Sequence, residues 1–235
     1  MEKVNIQKIK KEIIEYSLKN SGWIDLLKSY LYGEEFTDVL NMLLEERDDG
    51  KRFTPRVKDV FNGFKECPYS NLKVVIIGNE PYTNHNVNDG IAFSCGNQEY
   101  MNTYLRFILE EVNNTIYPNE PYDYNPSLKR WSNQGVLLIN CSLTTRIKQE
   151  GKHYYIWKDF LAFLLDMLDD KNLIWVLIGD KASECRDLLS EDNIILERTH
   201  PHVSIMEGKR GWDSNNLFKE INEQLIKKGS QPIIW

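Results

Sequence analysis

The chain has 235 residues, of which 41% are hydrophobic, and carries a formal net charge of −6 at pH 7. That length suits one large domain or two small ones, and the negative balance argues against a general nucleic-acid binder while leaving room for a local basic face. No apolar run is long enough for a membrane span, and the charged opening "MEKVNIQKIKKEIIEYSLKN" lacks the apolar stretch of a secretory leader. A soluble intracellular protein is expected, cytoplasmic or in a nuclear or viral context. Cys67, Cys95, Cys141 and Cys185 lie far apart with no C-x-x-C pair. They read as buried free thiols rather than as a disulfide or zinc framework.

In chain order, residues 5–19 place Ile6, Ile9, Ile13, Ile14 and Tyr16 at helical spacing, and residues 22–48 read as two more helices ending in "EERDDGKR". "FTPRVKDVFNGF" shows a proline at an expected helix start. Four short apolar runs follow: "KVVIIG" (73–78), "GVLLIN" (135–140), "LIWVLIG" (173–179) and "NIILERT" (193–199). Three of them run through Val, Ile and Leu without alternation, as strands buried on both faces do. Helical periods occupy 102–114, 157–169 and 181–189 between the runs, and 214–228 after them. This order implies parallel strands joined by right-handed crossovers. The expectation is one α/β domain over residues 1–235, its first 65 residues mostly helical and packed on the same domain.

In such folds the site lies at the carboxyl ends of the strands. There the sequence places Asn79, Glu80, Pro81 and Tyr82, then Asn140, then Gly179 and Asp180, then His200 and Pro201. A carboxylate, an amide, an aromatic ring and an imidazole together form the composition of an acid–base site. Each alone has an ordinary reading: a loop carboxylate, a turn cap, a loop histidine. Phe93, in "GIAFSC", reads by itself as a core residue rather than a stacking platform.

The same segments resemble the family-1 uracil-DNA glycosylases nearly end to end. "KVVIIGNEPYT" looks like the family's water-activating GQDPYH segment, and "GIAFS" is similar to G-L-x-F-S. "WSNQGVLLINCSLTTR" closely follows W-x-x-Q-G-V-L-L-L-N-x-x-L-T-V-R, and "WKDF" with "WVLIGDKA" resembles W-x-x-F, a helix and the Gly-Ser loop. "THPHVSI" looks like the HPSPLS loop, and "KKGSQPIIW" is similar to the G-x-x-P-I-x-W ending. The resemblance implies a three-layer α/β/α fold with a central four-stranded parallel sheet. It also implies a monofunctional DNA glycosylase that flips a pyrimidine out of DNA and hydrolyses its N-glycosidic bond, with no metal and no cofactor. Carried over by position, Phe93 stacks on the flipped base and Asn140 pairs with its Watson–Crick edge. Asn79 and its neighbours contact the base, and Tyr82 closes the C5 side. His200 donates to O2 of the departing base, while Glu80 orients water and stabilises the cationic sugar. Pro81, Thr83, Pro201, His202, Val203 and Ser204 fall in the DNA-contacting loops. DNA is the implied partner, bound by a monomer.

The departures cluster in the site. Glu80 stands for the family's aspartate, Asn79 for its glutamine, Thr83 for the histidine after the tyrosine, and Asp180 for the serine of the Gly-Ser loop. The wedging leucine has no clean counterpart; Val203, Ile205 and Met206 are the candidates. "GNQEYM" (96–101) replaces a proline-rich segment. Three functional readings follow: excision of uracil, the leading one; excision of a hydroxymethylated or glucosylated pyrimidine from viral DNA as antiviral defence; and a catalytically silent DNA- or partner-binding homologue. Lys209 and Arg210 in "EGKRGW", and Arg146 and Lys148 after the Asn140 strand, are candidate phosphate contacts; each is also readable as a solvated loop residue. Binding through one such face should fall steeply with salt.

Overall fold

The computed structural model describes residues 5–84, 86–96 and 101–235. Its strands are β1 (Phe53–Thr54), β2 (Val74–Gly78), β3 (Val136–Asn140), β4 (Thr145–Arg146), β5 (Ile174–Ile178) and β6 (Ile194–Arg198). Its helices are α1 (Ile6–Ile13), α2 (Ile24–Tyr32), α3 (Glu34–Asp48), α4 (Asn62–Glu66), α5 (Thr103–Ile116), α6 (Lys129–Ser132), α7 (Tyr154–Leu168), α8 (Asp180–Ser183), α9 (Pro201–Met206) and α10 (Leu217–Lys227). β3, β2, β5 and β6 form a four-stranded sheet in that order, with every neighbouring pair parallel. The four apolar runs are these strands. β2, β3 and β5 are buried at every residue, so their β-branched side chains face apolar layers on both sides.

Side chains alternate across a strand, and the core divides accordingly. Val75, Ile77, Leu137, Ile139, Trp175 and Leu177 pack with α2, α3 and α7 through Leu27, Phe36, Trp157 and Phe160. Val74, Ile76, Val136, Leu138, Ile174 and Val176 pack with α5 and α10 through Leu105, Leu109, Phe218 and Ile221. The result is the three-layer α/β/α arrangement, with the N-terminal helices forming part of one outer layer.

Some segments differ from the sequence expectation. Pro55 does not start a helix: the Thr54–Pro55 peptide is cis, and β1 pairs antiparallel with β4, Thr54 opposite Thr145. Helical turns follow only at Val57–Asp59 and in α4. The helix expected over 181–189 is α8 followed by a 3₁₀ turn, Glu184–Leu188. The loop after β6 contains α9, whose first-turn Pro201 fits a position that needs no N–H donor. The four cysteines are buried thiols outside any disulfide, with Cys141 and Cys185 Sγ atoms 3.9 Å apart. The replacement segment 96–101 lies largely outside the described residues.

Candidate active site

Parallel pairing sets Gly78 opposite Asn140 at the carboxyl ends of β2 and β3. Gly78 matters there because a Cβ on it would lie 2.6 Å from Asn140 Oδ1 and 2.7 Å from Phe93 Cζ. The bare backbone therefore lets the Phe93 ring and the Asn140 amide come together on the floor of a pocket. That pocket has a volume of about 370 Å³ and is lined by Asn79, Glu80, Tyr82, Phe93, Asn140 and His200, among others. Phe93 holds a left-handed backbone, φ 63°, unusual for a bulky residue and characteristic of places where surroundings impose a side-chain position. Its ring lies 6.0 Å from the His200 ring at 31°. Asn140 is 8% exposed, and its amide hydrogen-bonds to none of the described residues. A nearly buried amide facing a pocket without an internal partner is built to pair with something that enters.

Glu80 follows β2 by two residues, and its carboxylate is gripped from the β4 side. Thr145 Oγ1 donates to Oε2 at 2.6 Å, and the Gly151 N–H is shared between Oε1 at 2.9 Å and Oε2 at 3.0 Å. Desolvation raises its pKa above the usual carboxylate value; the two donors oppose that rise, and the charge of Glu150 adds to it.

His200 caps α9. Its Nδ1 lies 3.1 Å from the His202 N–H and accepts from it, which leaves the ring proton on Nε2. Burial, with His202 nearby, pushes the His200 pKa down to about 4, against a smaller opposing effect from Asp180. The ring is thus a neutral donor at physiological pH. Tyr104 supports it edge-on at 5.1 Å and reaches His202 Nδ1 with its hydroxyl at 3.1 Å.

Tyr82 is bracketed on both sides. Asn88 accepts from the Tyr82 N–H at 2.9 Å, donates to the Tyr82 carbonyl at 2.6 Å and also donates to Thr54 Oγ1 at 3.0 Å. The Tyr82 hydroxyl donates to the Phe93 carbonyl at 2.5 Å. Asn79 lines the pocket, but its side-chain oxygen accepts from the Ala182 N–H at the start of α8, packed over Gly179.

The expected DNA-contact residues divide. Pro81, Thr83, His202 and Val203 line the pocket or its rim. Pro201 and Ser204 are buried, their side chains turned into the protein by the helical turn of α9. Of the wedge candidates, Ile205 packs against the core, whereas Met206 is 73% exposed. Arg146 is not a free surface cation: it pairs with Glu46 of α3, Nε to Oε2 at 3.0 Å, and a second contact joins Nη2 to Oε1. Lys209 lies 2.7 Å from Glu207. Arg210 and Lys148 are exposed and have no carboxylate partner among the described residues.

Sequence reasoning misses Tyr104, Asn88, Thr145 and Gly151. The one signal for Thr145 is its hydroxyl in "TTR", where the family pattern has valine. Among the described residues no helix is long and apolar enough to cross a membrane, and no His, Cys, Asp and Glu side chains group as metal ligands would.

Comparison with known proteins matches residues 64–226 to the uracil DNA glycosylase superfamily. The chain is 34% identical over 221 residues to the uracil-DNA glycosylase of Francisella tularensis subsp. novicida, covering 91% of this chain and 97% of that protein. It is also 34% identical to the Amoebophilus asiaticus uracil-DNA glycosylase, covering 88% and 96% of the two chains. Among solved structures, mimivirus uracil-DNA glycosylase superposes with a TM-score of 0.81 at 22% identity, over 97% of this chain and 91% of that one.

Proposed function

Because the chain belongs to the uracil DNA glycosylase superfamily, we propose that it is a monofunctional DNA glycosylase that excises uracil, acting as a single chain without metal or cofactor. The observation that carries this reading is the meeting, in one pocket, of the Glu80 carboxylate, the neutral His200 ring and the unpartnered Asn140 amide.

The chemistry runs from these residues. A flipped base slides over Phe93, and Asn140 pairs with its Watson–Crick edge through one acceptor and one donor. As the C1′–N1 bond breaks, positive charge grows on the sugar and negative charge on the base. Glu80 faces the first and orients the water that attacks C1′; the His200 Nε2–H donates to the O2 oxygen that gathers the second. Donors and charges fixed before the reaction lower its barrier because they need no reorganisation. Water supplies hydroxide to C1′, the base leaves and takes up a proton, and an abasic site remains.

Uracil is favoured over a C5-substituted pyrimidine because Tyr82 is tied down by Asn88 on its backbone and by the Phe93 carbonyl on its hydroxyl. A ring held at both ends does not yield readily to a bulky C5 group. Met206 is the exposed apolar side chain available to fill the gap in the stack.

The test is incubation, in EDTA, with oligonucleotides and genomic DNAs carrying uracil, thymine, hydroxymethylcytosine or glucosylated hydroxymethylcytosine. Free bases are read by mass spectrometry and abasic sites by alkali cleavage. Uracil alone in the product supports the reading. Release of a modified base with uracil ignored replaces it with the genome-attacking alternative. Strand breaks without alkali overturn the monofunctional claim, and DNA binding without release of any base leaves the silent homologue.

A further inference from the structure

We propose that the Thr145 hydroxyl and the Gly151 amide form a positioning clamp that sets the Glu80 carboxylate for attack and leaves Oε1 as its water-facing oxygen. This inference rests on the reading of Glu80 as the reacting carboxylate.

Glu80 is one methylene longer than the aspartate of the family pattern, and an extra rotatable bond would spread the carboxylate over several positions. Here it is held by donors from two points of one loop. Thr145 is fully buried, and its backbone is fixed by pairing with Thr54. The neighbouring Arg146 is anchored to Glu46, and Glu46 also meets His153 Nε2 at 2.9 Å. His153 Nδ1 in turn lies 2.8 Å from Thr144 Oγ1. Gly151 presents its N–H from a left-handed turn, φ 76°, that a side chain would strain. The loop between them is pinned by the Ile147 N–H to the Arg52 carbonyl at 2.9 Å and by the Lys148 N–H to the Thr83 carbonyl at 3.1 Å.

Counting acceptor capacity identifies the free oxygen. Oε2 takes the Thr145 hydroxyl and a share of the Gly151 N–H, whereas Oε1 takes only the other share. Oε1 thus keeps room to accept from a water. Thr145 is neutral, so its removal changes hydrogen bonding to Glu80 without changing the charge around it. The titratable groups that face Glu80 or share its pocket are Tyr82, Tyr104, Glu150, Tyr154, Asp180, His200 and His202.

The experiment measures single-turnover excision from a uracil-containing single strand against pH for wild type, T145V, T145S, E80D, E80D/T145V and E80Q. T145V should lose roughly a hundredfold in rate, the cost of about 1 Å of misplacement, with the half-saturating enzyme concentration nearly unchanged. The acid limb of its pH profile should move upward, because a hydrogen bond that favours the carboxylate is gone. T145S should restore both. In the E80D background, where the shorter side chain no longer reaches Thr145, T145V should add little, so the two losses fail to add. Full activity and an unmoved limb in T145V, or an equal further loss in E80D/T145V, overturns the clamp. If E80Q is as active as wild type, or no base is excised, the catalytic reading itself fails. The clamp is then judged by ¹³C NMR titration of the Glu80 carboxyl: an upward shift in T145V upholds the grip, and an unmoved titration refutes it.

Discussion

Thr54 and Thr145 sit opposite each other across the short ribbon of β1 and β4, and each hydroxyl serves a different wall of the pocket. Thr145 donates to Glu80, while Thr54 accepts from Asn88, which brackets Tyr82. A ribbon of two residues per strand thus fixes the Glu80 wall and the Tyr82 wall together. It lies away from the main sheet and is steadied by the ion pair of Arg146 with Glu46.

Asn88→Ala removes three hydrogen bonds that hold Tyr82 and Thr54. It should cost about 1–3 kcal/mol of stability and narrow the preference for uracil over thymine in competition assays. Unchanged discrimination would show that Asn88 does not set the position of the ring.

Excision should rise with pH along a limb set by Glu80, displaced upward from an ordinary glutamate by desolvation. His200, depressed to about 4, stays neutral through this range and sets no limb near neutrality. His200→Ala should therefore cut the rate by about 10²–10³, the usual loss for one oxyanion donor, while leaving the limb where it was. Its depressed pKa also links to stability. The neutral ring's contribution is complete above the unfolded value of roughly 6.5 and is lost as pH falls through about 4. Thermal melts across that window check the sign.

Glu80→Gln should abolish most activity while leaving the fold equally stable or more so at pH 8. A carboxyl whose folded pKa is raised contributes stability that is full below its unfolded pKa and lost as pH rises through the folded one, so ionised Glu80 is a burden at pH 8. The gain would appear as a higher melting point at pH 8. The difference should vanish below about pH 4, where glutamate is neutral in both states. A variant that melts below wild type at pH 8 would contradict the sign.

Gly78→Ala inserts a methyl group 2.6 Å from Asn140 Oδ1 and 2.7 Å from Phe93 Cζ. Overpacking of this kind costs about 1–3 kcal/mol. The sheet should survive, and uracil excision should fall far more than stability does. Calorimetry and kinetics on the same sample separate the two effects.

DNA binding should depend less steeply on salt than four basic residues would suggest. Arg146 and Lys209 face carboxylates of their own, which leaves Arg210 and Lys148. Two phosphate contacts on duplex DNA give a slope of about −2 in log K against log salt. Arg210→Ala should bring it to about −1, whereas Lys209→Ala should move it less. A wild-type slope near −4 would mean that the ion pairs open on binding.

The strands are legible in the sequence because burial on both faces writes itself as unbroken Val, Ile and Leu. The strand-end placement of Glu80, Asn140 and His200 follows from the same pattern. α9 is not legible: its six residues are too few to show a helical period, and its cap is the histidine already assigned another role. The Thr145 contact with Glu80 joins residues 65 positions apart and obeys no local rule. Charge misleads at Arg146 for a similar reason, since its partner lies on a helix that precedes every strand of the main sheet.

The Glu46–Arg146 bridge closes a loop of 100 residues, which gives the site a place in time. During synthesis α3 emerges first, carrying an acid that has no basic partner until the chain beyond β3 has been made. The same holds at the pocket: Thr145 and Gly151 follow Glu80 by more than sixty positions, so a half-made chain carries Glu80 without the grip that orients it.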